Sequence, residues 1–397
     1  MNEDPGPGPR LVPLPGSAEA GSDGAGPSSA PLSDEGRESQ RDGTPAAIAH
    51  ADEPVGLGGP RDAAGPPNAG RPPGAGIFSL EGRPAPGLYV AAWLLALVGF
   101  GLLVVAGGAA TSASSGGGIG LWAVGLLFAA LVVFTLAFAA AAGYQVLARA
   151  NRPAQRYRGP SPLILFAVVL FSVTLAVGLL SAVGWIAPES QSLGALVVVL
   201  LTTLAYLGSI WLFVVRTGVL RWPEMGWPTR WRAPRGQLAG DALAGVTMMV
   251  PAYLVTILIG AVVATLLGVQ LPSALPTPRS VPDALATVLA GVIVAPVGEE
   301  AFFRGLSLTA WWRDLGLRAA LLRATLFFAA AHILNVTASN ASEGLRMALL
   351  QFVVILPVGL ALGWLFSQRG IVASIAGHIT FNAIAVSLLL TSGAIRA

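Results

Sequence analysis

The chain has 397 residues and a formal net charge of +3; 54% of the residues are hydrophobic, only 11% are charged, and the mean hydropathy is +0.71. A water-soluble globular protein carries about 25% charged residues, so the composition excludes an ordinary soluble enzyme and predicts a polytopic membrane protein. The absence of cysteine excludes disulfides and thiolate metal sites.

The first part of the chain, residues 1–86, is rich in Pro, Gly, Ala and Ser and has few large apolar side chains. Such a segment cannot bury enough surface to offset its ordering entropy, so we predict a disordered tail.

Residues 1–87 carry 12 acidic residues and 6 arginines, whereas residues 88–397 carry 8 acidic residues and 17 arginines. The basic excess lies between apolar segments, which indicates membrane topology and anionic lipid rather than a nucleic-acid partner.

From Leu88 onward the sequence contains about nine apolar segments that are long enough to cross a bilayer. They cover residues 88–110, 119–147, 162–187, 193–215, 239–268, 284–310, 320–340, 345–366 and 371–391. The predicted fold class is therefore all-α, a polytopic membrane helix bundle of about eight or nine transmembrane helices. We divide it into an N-terminal membrane region, 88–237, and a C-terminal membrane region, 238–397.

The connections between these segments alternate in arginine content. Thirteen arginines lie on one set of connections and three on the other. The positive-inside rule then places the N-terminal tail in the cytoplasm and the C-terminus outside, in a multi-pass protein of the cell membrane. The connector at 217–237 contains Trp222, Trp227 and Trp231 among arginines and prolines, which is typical of a segment at the lipid headgroups.

Three ionisable side chains lie in the apolar sequence VAPVGEEAFFRG, where each costs about 2.5–3.5 kcal/mol on insertion. Glu300 and Arg304 are spaced i,i+4, so we predict that they pair on one helix face. Glu299 points about 100° away around the helix and lacks that partner. We therefore predict a structural pair and a free Glu299 carboxylate, on a helix that Pro296 and Gly298 can kink.

Two further apolar segments each carry a histidine. His332 lies in FFAAAHILN, and His378 lies in AGHITFNAI, where Asn382 shares its helix face. Each of these residues alone is compatible with packing or with hydrogen bonds between helices. The two imidazoles lie about 14 and 12 Å from the arginine-rich ends of their segments. Glu299 reaches a similar or deeper level, so we expect the groups to converge in the cytoplasmic half of the bundle.

A carboxylate, two imidazoles and an amide at one depth have the chemistry needed to hydrolyse a peptide bond. A carboxylate beside an imidazole can position a water molecule and take its proton. A second imidazole and an amide N–H can stabilise the oxyanion that forms when this water attacks a carbonyl. The pattern therefore predicts peptide-bond hydrolysis within the bilayer.

The sequences EEAFFR, FAAAH and HITFN, each on an apolar segment, are similar to the three ordered motifs of the CPBP (or ABI) family. This family comprises intramembrane proteases related to type II CAAX prenyl endopeptidases. The resemblance covers about residues 284–390 and matches the patterns EExxxR, FxxxH and HxxxN. It implies that Glu300 and Arg304 are supporting residues of the active site.

The resemblance also implies a role for the remaining motif residues. Glu299 and His332 are implied to activate water, and His378 and Asn382 to stabilise the oxyanion. The carboxylate and the two imidazoles could in principle form a His₂Glu zinc site, but the motifs lack the two histidines four residues apart of a zincin helix. We therefore expect a glutamate mechanism without a metal cofactor.

Two other functions use the same residues. A proton-coupled transporter could employ the Glu and His side chains as a relay, but no second copy of the polar motifs is visible, as an inverted repeat would require. A catalytically inactive scaffold would not need the intact set of polar residues. The sequence favours an intramembrane endopeptidase that acts on a membrane-associated protein or peptide.

Overall fold

The structure, a computed structural model, describes residues 80, 82–113, 121–186, 191–228, 235–269, 278 and 280–394. Within these residues every regular element is helical, and nine helical stretches are long and apolar enough to cross a membrane. The predicted all-α, multi-pass membrane fold is therefore confirmed. The predicted disordered tail at residues 1–86 lies outside the described residues, apart from residues 80 and 82–86.

The spans agree with the predicted segments to within a few residues, and the sixth combines five helical elements. Helices α1 to α5 occupy Pro86–Ala113, Leu121–Ala148, Pro162–Ala182, Gln191–Ile210 and Arg235–Leu267, and α4 continues as a π-helix, π1, at Trp211–Val215. Span six consists of α6 (Val281–Val288), π2 (Leu289–Val294), α7 (Ala295–Glu299), π3 (Glu300–Leu308) and α8 (Thr309–Leu315). The last spans are α9 (Leu317–His332), with a 3₁₀ turn at Ile333–Asn335, α10 (Ala341–Arg369) and α11 (Ile371–Ala394).

Local sequence explains where several of these helices begin and end. The side chains of Ser280 and Asn340 accept hydrogen bonds from backbone amides three residues later, which caps α6 and α10. Gly316 and Gly370 follow the ends of α8 and α10 with a positive φ of 78°, a conformation that glycine adopts without strain. These glycines permit the sharp reversals that place consecutive spans side by side.

An aromatic core packs the N-terminal membrane region against span six. The ring of Tyr206 in α4 lies 4.5 Å from that of Phe302 and 6.0 Å from that of Phe303. Phe166 in α3 lies 6.1 Å from both phenylalanine rings, measured between centroids. The division of the chain at residues 237 and 238 stays a prediction, but both of its parts contribute to this core.

Helices α5 and α11 touch through their backbones. A methyl group placed on Gly245 would lie 2.3 Å from the carbonyl oxygen of Ala373 and 2.7 Å from the backbone nitrogen of Gly377. Small residues at such crossings let transmembrane helices approach closely. This approach determines where α11 lies and therefore where its polar side chains project.

The arginine-rich end of the bundle, which contains residues 149–161, 216–228 and the α8–α9 junction, is held together by ion pairs. Asp314 accepts hydrogen bonds from the Arg152 guanidinium at 3.4 Å and from the backbone N–H of Tyr157 at 3.1 Å. Glu224 accepts one from Arg313 at 2.8 Å. Partial burial opposes ionisation of Glu224, but the bonds from Arg313 and Arg221 outweigh it and lower the pKa of that carboxyl group.

Candidate active site

The Glu300 carboxylate and the Arg304 guanidinium form the predicted pair, with Oε1 2.8 Å from Nη1 and both side chains buried. The guanidinium also donates to the carbonyl of Gly359 over 3.3 Å and lies 4.0 Å from the centroid of the Phe328 ring. An unpaired charge at this place would be costly. The ion pair, the carbonyl and the ring together allow both charges to remain inside the bundle.

Glu300 also holds the last histidine in place, which the spacing argument did not predict. His378 Nδ1 lies 2.8 Å from Glu300 Oε1, and the Ser374 hydroxyl donates to Oε2. Both donors come from α11, where they are four residues apart. Sequence analysis missed Ser374, although its i,i+4 spacing from His378 was a signal that the two side chains share a face.

The Glu299 carboxylate lies between the two histidines. Its Oε2 atom is 3.7 Å from His332 Nε2 and 3.8 Å from His378 Nε2. This oxygen is buried and makes no hydrogen bond within the described part of the chain, while the side chain as a whole is 23% exposed. The two distances are too long for direct hydrogen bonds and suit groups that share one small molecule such as water.

The ring orientations of the histidines follow from their outer partners. His332 Nδ1 lies 2.8 Å from the carbonyl oxygen of Phe328, which can only accept, so this nitrogen carries the proton. His378 Nδ1 faces the Glu300 carboxylate in the same way. These tautomers are assigned from the hydrogen-bond partners. In the neutral rings both Nε2 atoms therefore present a lone pair towards Glu299.

Asn382 lies one helical turn beyond His378, but it is engaged elsewhere. Its Nδ2 atom donates to the carbonyl oxygen of Gly291 over 2.7 Å. The structure thus brings Glu299, His332 and His378 together, whereas the amide of Asn382 is directed to the π2 segment. Its implied role as an oxyanion donor stays a prediction.

Helix α4 makes a close contact with the segment of span six that carries Glu299. A methyl group on Gly298 would lie 2.5 Å from Thr203 Oγ1 and 3.0 Å from Thr203 Cα. The Thr203 hydroxyl also donates to the carbonyl of Val294 over 3.2 Å. Only glycine lets α4 approach this closely, directly before Glu299. Two π-helical segments lie on either side of α7, which contains Pro296 and Gly298, and the kink at these residues stays a prediction.

The zinc alternative concerns the same three side chains, Glu299, His332 and His378. In the part of the chain that the structure describes, no group of three or more His, Cys, Asp or Glu side chains is arranged to hold a metal ion. Zinc sites hold such ligands at about 2.0–2.2 Å from the metal. Independence from a metal nevertheless stays a prediction, which a chelator tests.

These features define an integral membrane protein with a buried Glu–His cluster inside a helix bundle. Residues 281–384 match the family model described as Type II CAAX prenyl endopeptidase Rce1-like. A comparison with curated proteins gave no match, and a comparison with solved structures gave none either.

Residues 281–384 therefore match the type II CAAX prenyl endopeptidase family, which is the family that the three motifs resemble. The matched region includes span six, α9, α10 and most of α11. At the level of this family the protein is a multi-pass membrane protease, with a lipid bilayer as its environment and a protein or peptide as its substrate.

Proposed function

We propose that the protein is a glutamate-dependent intramembrane endopeptidase in which Glu299 and His332 activate the hydrolytic water. The observation that carries this proposal is the buried Glu299 Oε2 atom, which has no hydrogen-bond donor in the part of the chain that the structure describes and faces two imidazole Nε2 atoms at 3.7 and 3.8 Å. A carboxylate in this position can accept a proton from a water molecule, and an imidazole lone pair can orient it.

The reaction begins when that water attacks the substrate carbonyl carbon. The water oxygen forms the new C–O bond as its proton passes to Glu299, and the carbonyl oxygen becomes an oxyanion. Collapse of this intermediate breaks the C–N bond, and Glu299 returns the proton to the leaving nitrogen. Every proton transfer thus runs through groups that already converge on one position.

His378 is suited to stabilise the oxyanion. Donation from Nε2 requires a second proton on the ring, whose Nδ1 atom is held by the Glu300 carboxylate. Glu300 is itself held by Arg304, so the donor is preorganised before the charge develops. Glu300 and Arg304 therefore act by supporting His378 rather than by contacting the substrate.

The substrate class follows from the family alone. Type II CAAX prenyl endopeptidases are named for proteins that end in a prenylated Cys-a-a-X sequence, and we propose such a protein or a membrane-associated peptide as substrate.

We also propose that the protein lies in the cell membrane with its arginine-rich end facing the cytoplasm, because thirteen arginines lie on these connections and three on the opposite ones.

The test is cleavage of a fluorogenic peptide by the purified full-length protein in detergent. Two probes are compared, a peptide ending in farnesylated Cys-a-a-X and the same peptide without the prenyl group. Wild type should cleave at least one of them, and Glu299→Ala should cleave neither. Loss of wild-type cleavage on addition of a chelator would instead assign the reaction to a metal. Solute flux through proteoliposomes without any cleavage would favour a transporter.

A further inference from the structure

In the π2 segment of span six, the backbone position expected to donate to the carbonyl of Gly291 is occupied by a proline. In a π-helix each amide bonds to the carbonyl five residues earlier, and the N–H of Ala295 does so with Ala290. The next donor in this pattern would be residue 296, which would bond to Gly291. Residue 296 is proline and has no N–H, so the buried carbonyl of Gly291 lacks its helical partner.

Asn382 supplies the missing donor from α11. Its Nδ2 atom lies 2.7 Å from the carbonyl oxygen of Gly291. In an apolar bundle no water replaces such a bond, so a backbone carbonyl needs a protein partner. The side-chain amide occupies the place of the N–H that Pro296 cannot provide.

We propose that Asn382 is a positioning residue, which aligns His378 by fastening α11 to the proline-interrupted segment of span six. Three side-chain hydrogen bonds join these elements among the described residues: Ser374 and His378 to Glu300, and Asn382 to Gly291. They lie one turn apart on α11 and on either side of Pro296 in span six. Together they restrict both the rotation of α11 and the direction of the His378 ring.

This inference differs from the role that the family resemblance implies. An oxyanion donor offers an N–H to the substrate, whereas a positioning residue uses the N–H that Asn382 donates to Gly291. Nδ2 carries two N–H groups, and the bond to Gly291 occupies one of them. The kinetic part of the test rests on the proposed function, but the stability part does not need an active enzyme. The two can therefore fail separately.

The stability test is a double-mutant cycle. Asn382→Ala, Pro296→Ala and the double variant are purified as full-length protein in detergent, and their melting temperatures are measured. We expect Asn382→Ala to lower the melting temperature by about 2–4 °C, and by clearly less when residue 296 is alanine, because its new N–H can reach Gly291. Pro296→Ser provides a second replacement with a backbone N–H if the alanine variant does not accumulate.

The matched control is Pro251→Ala, which adds an N–H within α5 instead. It should leave the effect of Asn382→Ala unchanged, because independent sites add. The proposal would be overturned if Asn382→Ala lowered the melting temperature equally with proline and with alanine at residue 296.

The kinetic test separates positioning from direct catalysis. With the peptide probe that wild type cleaves, Asn382→Ala should lower kcat by up to about a hundredfold and leave KM nearly unchanged. The double variant with Pro296→Ala should recover a large part of kcat. If its stability recovers while its kcat stays as low as that of Asn382→Ala, the amide contacts the reacting atoms and the positioning role is wrong.

Discussion

At the scale of single residues, the two adjacent glutamates differ because of their partners. Glu300 has Arg304, His378 and Ser374 as donors and is fully buried. Glu299 has no hydrogen-bond donor for Oε2 among the described residues and keeps some exposure. One carboxylate is therefore committed to the structure, and its neighbour is the one to which we assign activation of the water.

Isosteric amides should separate these two roles. We expect Glu299→Gln to lower kcat by about 10²–10⁴-fold, the usual range for a general base, with little change in melting temperature. Glu300→Gln should lower both, because it breaks a buried ion pair, a change that costs about 3–5 kcal/mol. Peptide cleavage and thermal unfolding in detergent measure the two effects. A Glu299→Gln variant with wild-type kcat would show that another group activates the water.

At the scale of helices, the sequence was sufficient for the spans but not for their internal geometry. The length of an apolar segment is enough to predict a membrane span. The i,i+4 spacing was likewise enough to predict the pair of Glu300 and Arg304. The π-helical segments 289–294 and 300–308 were not predicted, since π-helices have no sequence period of their own in so short a stretch. They flank α7, which contains Pro296 and where α4 packs against Gly298; the second of these is a tertiary contact that one sequence does not show.

The same limit applies to the partners of the polar side chains. Spacing within one helix placed His378 and Asn382 on a shared face, but it could not show that they bind different partners on span six. Depth along each helix suggested that three groups converge, whereas rotation of each helix about its axis decides which atoms meet. That rotation is set by contacts such as Gly245 against Gly377, and these are not visible in one sequence.

The close crossing of α5 and α11 makes Gly245 a test of this dependence. Gly245→Ala places a methyl group against the backbone of Ala373 and Gly377, which no side-chain rotation can relieve. We expect it to cost about 1–3 kcal/mol and to reduce cleavage by displacing His378. Gly240→Ala in the same helix is the control, because no atom lies within 4 Å of its added methyl group. Equal melting temperatures for the two variants would refute the close contact.

At the scale of the whole molecule, ion pairs at the arginine-rich end connect segments that are distant in sequence. Asp314 at the end of span six bonds to Arg152 and to the backbone of Tyr157, which follow α2. Glu224, between α4 and α5, bonds to Arg313. These contacts join the N-terminal membrane region to the protease domain on one side of the bundle.

The Glu224 contacts should make stability depend on pH. Arg313 and Arg221 lower the pKa of Glu224 in the folded protein. The ionised carboxylate therefore contributes to the free energy of unfolding at pH values above the pKa that Glu224 has in the unfolded chain. This contribution is lost as the pH falls through the lower pKa of the folded protein. We expect the melting temperature of wild type to fall below about pH 4.5, and to fall less in Glu224→Gln. Thermal unfolding of both proteins between about pH 6 and 3 measures this. Parallel curves would show that Glu224 does not contribute.

The orientation of the bundle can be tested directly because the chain has no cysteine, so a single introduced thiol is the only one present. Ala154, between α2 and α3, and Thr337, between α9 and α10, are both exposed and lie on opposite sets of connections. If the arginine-rich end faces the cytoplasm, a membrane-impermeant maleimide should label Thr337→Cys in intact cells. Ala154→Cys should then react only after lysis. The reverse pattern would place the arginine-rich end outside, against the positive-inside rule, and would move access to His332 and Glu299 to the other side of the membrane.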